Sequence, residues 1–149
     1  MSPPLAESPR RREPKVVESL MRPRYADLFE ALTDPDPRRS DAAFDAVLFD
    51  RGEALPDLAE LYKANPREPL LRFYAIQLMG FTEDPRAIPA VIEALHDHDP
   101  AVRAEACRAL EDLRAREATH ALRERTDDLD PEVRRSAREA LEALGESPY

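Results

Sequence analysis

The sequence predicts an all-α fold, an α-solenoid of about four stacked helix pairs, and three observations predict it. The dipeptides Asp36-Pro37, Glu68-Pro69, Asp99-Pro100 and Asp130-Pro131 stand 32, 31 and 31 residues apart, a period of the kind that marks a repeat architecture. After each dipeptide, apolar residues recur at helical spacing, which builds one stripe along one side of a helix. Glycine is scarce, 3 in 149 residues, while Ala, Leu, Glu and Arg abound. That mixture favours helices.

Taken in order, residues 1–18 are rich in proline and charge, hold few core candidates and are expected to form a flexible arm. The Arg10-Arg11-Arg12 cluster is either a solvated tail or a contact for a partner or for an acidic face of the body. Residues 19–145 form the repeat domain, and 146–149 a short tail. Helix pairs are expected over roughly 22–52, 53–84, 85–116 and 117–145. In the first-helix series, Ala54-Leu55-Pro56-Asp57-Leu58, Ala87-Ile88-Pro89-Ala90-Val91 and Ala118-Thr119-His120-Ala121-Leu122 align at offsets of 33 and 31. Leu28-Phe29-Glu30-Ala31-Leu32 matches Val91-Ile92-Glu93-Ala94-Leu95, 63 residues on.

The second helices carry the stripes Ala43, Ala46, Val47; Leu71, Ala75, Leu78, Met79; Val102, Ala106, Ala109, Leu110, Leu113; and Val133, Ala137, Ala140, Leu141, Leu144. An acidic residue before proline places a hydrogen-bond acceptor at the N-cap, a role Asp fills better than Glu. Proline then occupies the first helical position, where its missing N–H costs nothing. Gly52, Gly80 and Gly145 are expected just after second helices, as left-handed closing residues. One pair cannot bury its apolar face alone, whereas stacked pairs share a continuous core.

The run Ala87-Ile88-Pro89-Ala90-Val91-Ile92-Glu93-Ala94-Leu95, then Asp99-Pro100-Ala101-Val102-Arg103, then Ala106 and Ala109-Leu110, resembles the short bacterial HEAT-like repeat, also found in phycobilisome lyase subunits. Asp130-Pro131-Glu132-Val133-Arg134 to Leu144-Gly145 is similar, and the resemblance covers about 25–145. It implies a ladder in which the arginine column Arg72, Arg103 and Arg134 pairs with acidic residues of its own or neighbouring repeats. Ser40 takes that place in the first repeat, so the ladder is expected to stop there. The resemblance also implies a binding surface with the second helices on the concave side.

The chain carries 22 basic and 31 acidic residues, a net charge of −9. Residues 1–24 hold a net +3, which leaves −12 on the remainder. An acidic body repels phosphate backbones and disfavours nucleic acid as a partner. It suits a basic protein partner, or serves only solubility. No apolar run is long enough for a membrane span, no signal peptide is expected, and the single Cys107 forms no internal disulfide. A cytoplasmic protein is the expectation.

Catalysis is not expected, nor is a cofactor or a metal. His96-Asp97-His98-Asp99 is the one cluster resembling a metal site, but Asp99 is already used as an N-cap. The HEAT-like hydroxylases hold iron with His-Glu pairs, and the chain has no His-Glu dipeptide. Cys107 lacks an evident base and oxyanion donors.

The better signal is aromatic. Tyr25, Phe29, Phe44, Phe49, Tyr62, Phe73, Tyr74 and Phe81 all fall in the first two repeats. Phe73 and Tyr74 are adjacent on one helix and do not both fit the stripe, so Tyr74 is either an outward interface anchor or an incidental tyrosine at a repeat boundary. Its column continues as Glu105 and Ser136, and a second column holds Gln77, Arg108 and Glu139. These six residues are the expected contacts of a protein-binding adaptor or scaffold. Two further readings stand beside it: an inhibitor or immunity protein masking a basic partner, and a helper subunit of a chromophore lyase.

Overall fold

The computed structural model describes residues 21–149, and the arm expected over 1–18 lies outside the described residues. The described residues form eight α-helices, four first helices alternating with four second helices: α1 Pro23–Ala31, α2 Pro37–Asp50, α3 Leu55–Ala64, α4 Pro69–Phe81, α5 Ile88–Ala94, α6 Pro100–Asp112, α7 Thr119–Arg125 and α8 Pro131–Ala143. They pair as expected, and no strand occurs among the described residues. Short 3-10 turns, Arg51–Ala54, Pro85–Ala87 and Arg116–Ala118, lead into α3, α5 and α7.

The caps explain why the second helices begin where they do. Proline fills the first position of α2, α4, α6 and α8. The Ala101 N–H donates to Asp99 Oδ1 at 2.8 Å, and the Glu132 and Val133 N–H groups donate to Asp130 Oδ1 at 2.9 and 3.1 Å. Asp36 Oδ1 accepts from the Arg38 N–H at 3.0 Å. Glu68 makes no such bond, its longer side chain fitting the N-cap less well.

Two of the three glycines do not do what their positions suggest. Only Gly145 has a positive φ, +77°, and there the Glu146 N–H reaches back to the Leu141 carbonyl at 2.9 Å. After α4 and α6 the left-handed residues are Glu83 and Arg114. Gly80 lies inside α4, where a Cβ would stand 2.9 Å from Ala109 Cα of α6. It is a close-approach residue, letting the two helix backbones meet.

That contact is typical of the second layer. α4 packs along α6 and α6 along α8, while α2 meets α4 less extensively. Val102, Ala106, Ala109, Leu110, Val133, Ala137, Ala140 and Leu141 are all buried, and the core runs unbroken from Tyr25 to Leu144.

Asp99→Ala and Asp130→Ala should each cost about 1 kcal/mol in denaturant unfolding, the usual loss of an N-cap, whereas Glu68→Ala should change stability by less than half of that.

Candidate protein-binding surface

The surface available to a partner is set by how the repeats are tied together. Arg72, Arg103 and Arg134 stand three residues after the helix-opening prolines, on the turn side of α4, α6 and α8. Each donates through Nη1 to a carbonyl in its own repeat's turn: Asn65 at 2.9 Å, Asp97 at 2.8 Å and Asp128 at 2.8 Å. The remaining fork reaches the next repeat. Arg72 Nε donates to Asp97 Oδ2 at 3.0 Å, and Arg103 Nε to Asp128 Oδ2 at 3.0 Å.

The acceptors are fully used. Asp97 also accepts from Tyr62 Oη at 2.6 Å and from the Asp99 N–H at 2.9 Å. Burial alone would raise Asp97, but donation from Arg72, Tyr62 and the Asp99 N–H outweighs it and holds the carboxyl below its ordinary range. Asp128 is held low in the same way, against burial, by Arg103 and the Asp130 N–H. The expected arginine ladder is therefore present with two inter-repeat rungs. Among the described residues Arg134 makes only carbonyl bonds, to Asp128 and Leu129.

At the other end the ladder stops as expected, and both partners vanish together. Ser40 replaces the arginine and bonds locally to the Pro37 carbonyl at 3.1 Å, while Pro66 stands where Asp97 and Asp128 stand later. Neither half of a rung is left there without the other. The first repeat is tied at its opposite end: Arg22 donates to the buried Asp57 at 2.7 Å and to the Glu53 carbonyl, and Tyr25 Oη donates to Asp50 at 2.7 Å. Nothing in the repeat pattern announces this tie, since it uses residues that do not recur.

This packing buries two of the six expected contact residues. Glu105 is 6% exposed and Ser136 2%. Their column points toward the preceding second helix, because α4, α6 and α8 lie side by side. Tyr74 is half-buried in the same groove, edge-on to Phe44 with ring centroids 6.4 Å apart, and Phe73 packs against it at 6.0 Å. It packs at the repeat boundary and keeps part of its surface in solvent. The second column faces outward: Glu139 is exposed, and Gln77 and Arg108 are half-exposed.

Arg108 is not idle, however. It donates to Glu105 Oε2 at 3.2 Å and to Glu132 Oε1 at 2.6 Å, and Glu132 also accepts from Arg135. Burial pushes the Glu105 carboxyl up, and Arg108 only partly offsets this.

The outward face is built from equivalent positions. Eight residues after the helix-opening prolines come Asp45, Gln77, Arg108 and Glu139, and twelve residues after them come Phe49, Phe81, Asp112 and Ala143. Phe49 is 87% exposed, Leu70 52% and Phe81 39%. The large exposed apolar side chains of this face all lie in the first two repeats. The exposed Phe49, Leu70 and Phe81 were not singled out as contacts from the sequence, although the repeat alignment places Phe49 and Phe81 in the same column as Asp112, a polar and therefore outward position.

Candidate chemistry elsewhere is absorbed by structure. Cys107 is buried, and burial pushes its thiol up to about 12. Asp97 and Asp99 are committed to Arg72 and to the cap of α6, and His98 Nε2 lies 3.1 Å from Arg72 Nη2. Among the described residues no group of three or more His, Cys, Asp or Glu side chains is arranged to hold a metal, and no helix is long and apolar enough to cross a membrane.

A family profile for HEAT repeats matches residues 55–142. The chain belongs to the HEAT-repeat family. Among solved structures, it is similar to the complex of CpcE and CpcF of phycocyanin lyase from Nostoc sp. PCC7120, with a TM-score of 0.70 at 23% identity over 81% of this chain and 78% of the other. It is also similar to human deoxyhypusine hydroxylase in complex with glycerol, with a TM-score of 0.66 at 23% identity. That match covers 85% of this chain but 47% of the hydroxylase, so this HEAT stack spans about half the hydroxylase chain. Identities at this level show a shared fold. A comparison with curated proteins finds no match.

Asp97→Ala should cost about 3–5 kcal/mol, the usual penalty for stranding one partner of a buried ion pair, read as a large fall in melting temperature. Glu105→Gln tests a buried acid outside the ladder. A carboxyl raised on folding stabilises below its unfolded pKa, and that contribution is lost as pH rises through the folded value. The variant should therefore match wild type at pH below the ordinary carboxylate range and gain stability over it as pH rises above that range; a difference that stays constant with pH would contradict the assignment.

Proposed function

We propose that this HEAT stack is a protein-binding adaptor or scaffold whose outward second-helix face is the docking surface. The observation that carries the reading is the position of the exposed apolar side chains. Phe49, Leu70 and Phe81 project from α2 and α4 on one face, with Asp45, Gln77, Arg108 and Glu139 along its centre. Exposed aromatic rings with a charged surround fit the core-and-rim composition of protein interfaces.

The reading is binding and not catalysis. The sole thiol is buried, and the buried carboxylates Asp97 and Asp128 serve the ladder. CpcE and CpcF form a complex with one another, so in that instance the fold serves protein association. The acidic body, −9 overall, suits a partner with basic groups.

Affinity capture with the full chain at low salt, followed by titration of the recovered partner, tests the proposal. Phe49→Ala combined with Leu70→Ala should weaken binding about 30-fold, as for the loss of one anchor worth about 2 kcal/mol, with little change in melting temperature because both side chains stand in solvent. Glu124→Lys on α7, in the first-helix layer, should leave binding within about twofold, as expected outside an interface. Loss of binding in the α7 variant with none in the α2–α4 variant would place the interface on the opposite layer.

A further inference from the structure

The outward face ends in an edge with its own character. α2, α4, α6 and α8 run in the same direction, and their C-terminal ends line up. A Cβ on Gly52 would lie 2.7 Å from Asp84 Oδ2, so the segments following α2 and α4 abut. Gly80 brings α4 against Ala109 and Asp112. Along this edge stand Phe49 and Phe81, then Glu83, Asp112 and Glu111, with Glu139 one turn back on α8. Burial raises the Asp112 carboxyl and Glu83 adds to it; burial raises Glu111, with Asp112 and Glu139 adding. No arginine offsets either one, although Arg114 and Arg116 line the same hollow. The four acids have no ion-pair partner within 4.0 Å among the described residues, in contrast to Asp50, Asp57, Asp97 and Asp128. The edge thus presents two exposed rings followed by crowded carboxylates that form no ion pair among the described residues, with Arg114 and Arg116 beside them.

The described chain begins at this same edge. First and second helices are antiparallel, so the start of α1 lies beside the end of α2: Arg24 pairs with Asp50 at 2.7 Å, one residue after Phe49. Arg22 is clamped to Asp57 close by. The residues just before it read Arg10-Arg11-Arg12-Glu13-Pro14-Lys15-Val16-Val17-Glu18-Ser19-Leu20, basic and then apolar. Arg12 stands ten positions before Arg22, a reach of up to about 34 Å when extended. Crossing from α2 to α6 takes two interhelix spacings, about 20 Å. The span is sufficient.

We propose that the Phe49–Phe81 edge and its carboxylates take this chain's own segment Arg10–Leu20, the apolar residues against the rings and the arginines against Glu83, Asp112 and Glu111. The segment then acts as a tethered ligand, and a partner must displace it. This deepens the reading above by naming what the face accepts, an apolar sequence flanked by basic residues. Because the occupant is tethered, its local concentration is in the millimolar range, so contacts too weak to hold a free peptide are enough.

Limited trypsin digestion of the full chain, with no partner present, tests the proposal separately from partner capture. Cleavage after Arg12 and Lys15 is followed by mass spectrometry. Glu83→Gln with Asp112→Asn, which adds no trypsin site, should speed those cuts about threefold or more, since cleavage tracks the undocked fraction. Phe49→Ala alone should act in the same direction, and salt at about 0.5 M should erase the difference by screening. Equal rates in wild type and both variants would overturn the proposal. Protection that grows with protein concentration would also overturn it, by showing that the occupant comes from a second copy. If arm protection is seen but face substitutions leave partner capture intact, the arm assignment stands and the adaptor reading fails.

Discussion

The pairing of Arg72 with Asp97 and of Arg103 with Asp128 is the constraint on which the rest of the structure depends. Each arginine holds the turn of its own repeat through a carbonyl and the turn of the next through a carboxylate. A buried ion pair is weak evidence for net stability, because desolvation offsets much of the attraction. Its value here is register. Slipping one repeat against the next would strand both a guanidinium and a carboxylate in the interior, so wrong stackings are costly even though the correct one gains modestly.

Register in turn decides which side chains are free. With the turns locked, the second helices lie side by side, close enough at Gly80 that no Cβ is accommodated. One flank of each second helix is then buried against its neighbour, and only a narrow strip faces outward. Where the rung is absent, between the first two repeats, aromatic side chains fill the boundary instead: Phe44 contacts both Tyr74 and Phe81 edge-on. The aromatic half of the stack is thus the half without the ladder, and it is there that Phe49 and Leu70 are left in solvent.

The fold was legible in the sequence because its causes are local and repeated. Asp-Pro caps, apolar stripes and the arginine column recur, and each copy confirms the others. The site was half legible. Gln77, Arg108 and Glu139 face outward as their column suggests, yet Glu105 and Ser136 are polar and buried. Polarity in one column was a poor guide because Arg108 supplies Glu105 with a partner from the adjacent turn of the same helix. The Arg22–Asp57 tie and the close approach at Gly80 were not legible at all. Both depend on which elements meet, and neither uses a residue that repeats.

An unequal ladder implies unequal coupling along the stack, and native-state hydrogen exchange reads this directly. Buried amides of α4, α6 and α8 should share one high opening free energy, as a block joined by the two rungs, while those of α2 should open at a distinctly lower one. Equal protection of α2 and α6 would contradict the claim that the arginine–aspartate rungs, and not the shared apolar core alone, join the repeats into one unit.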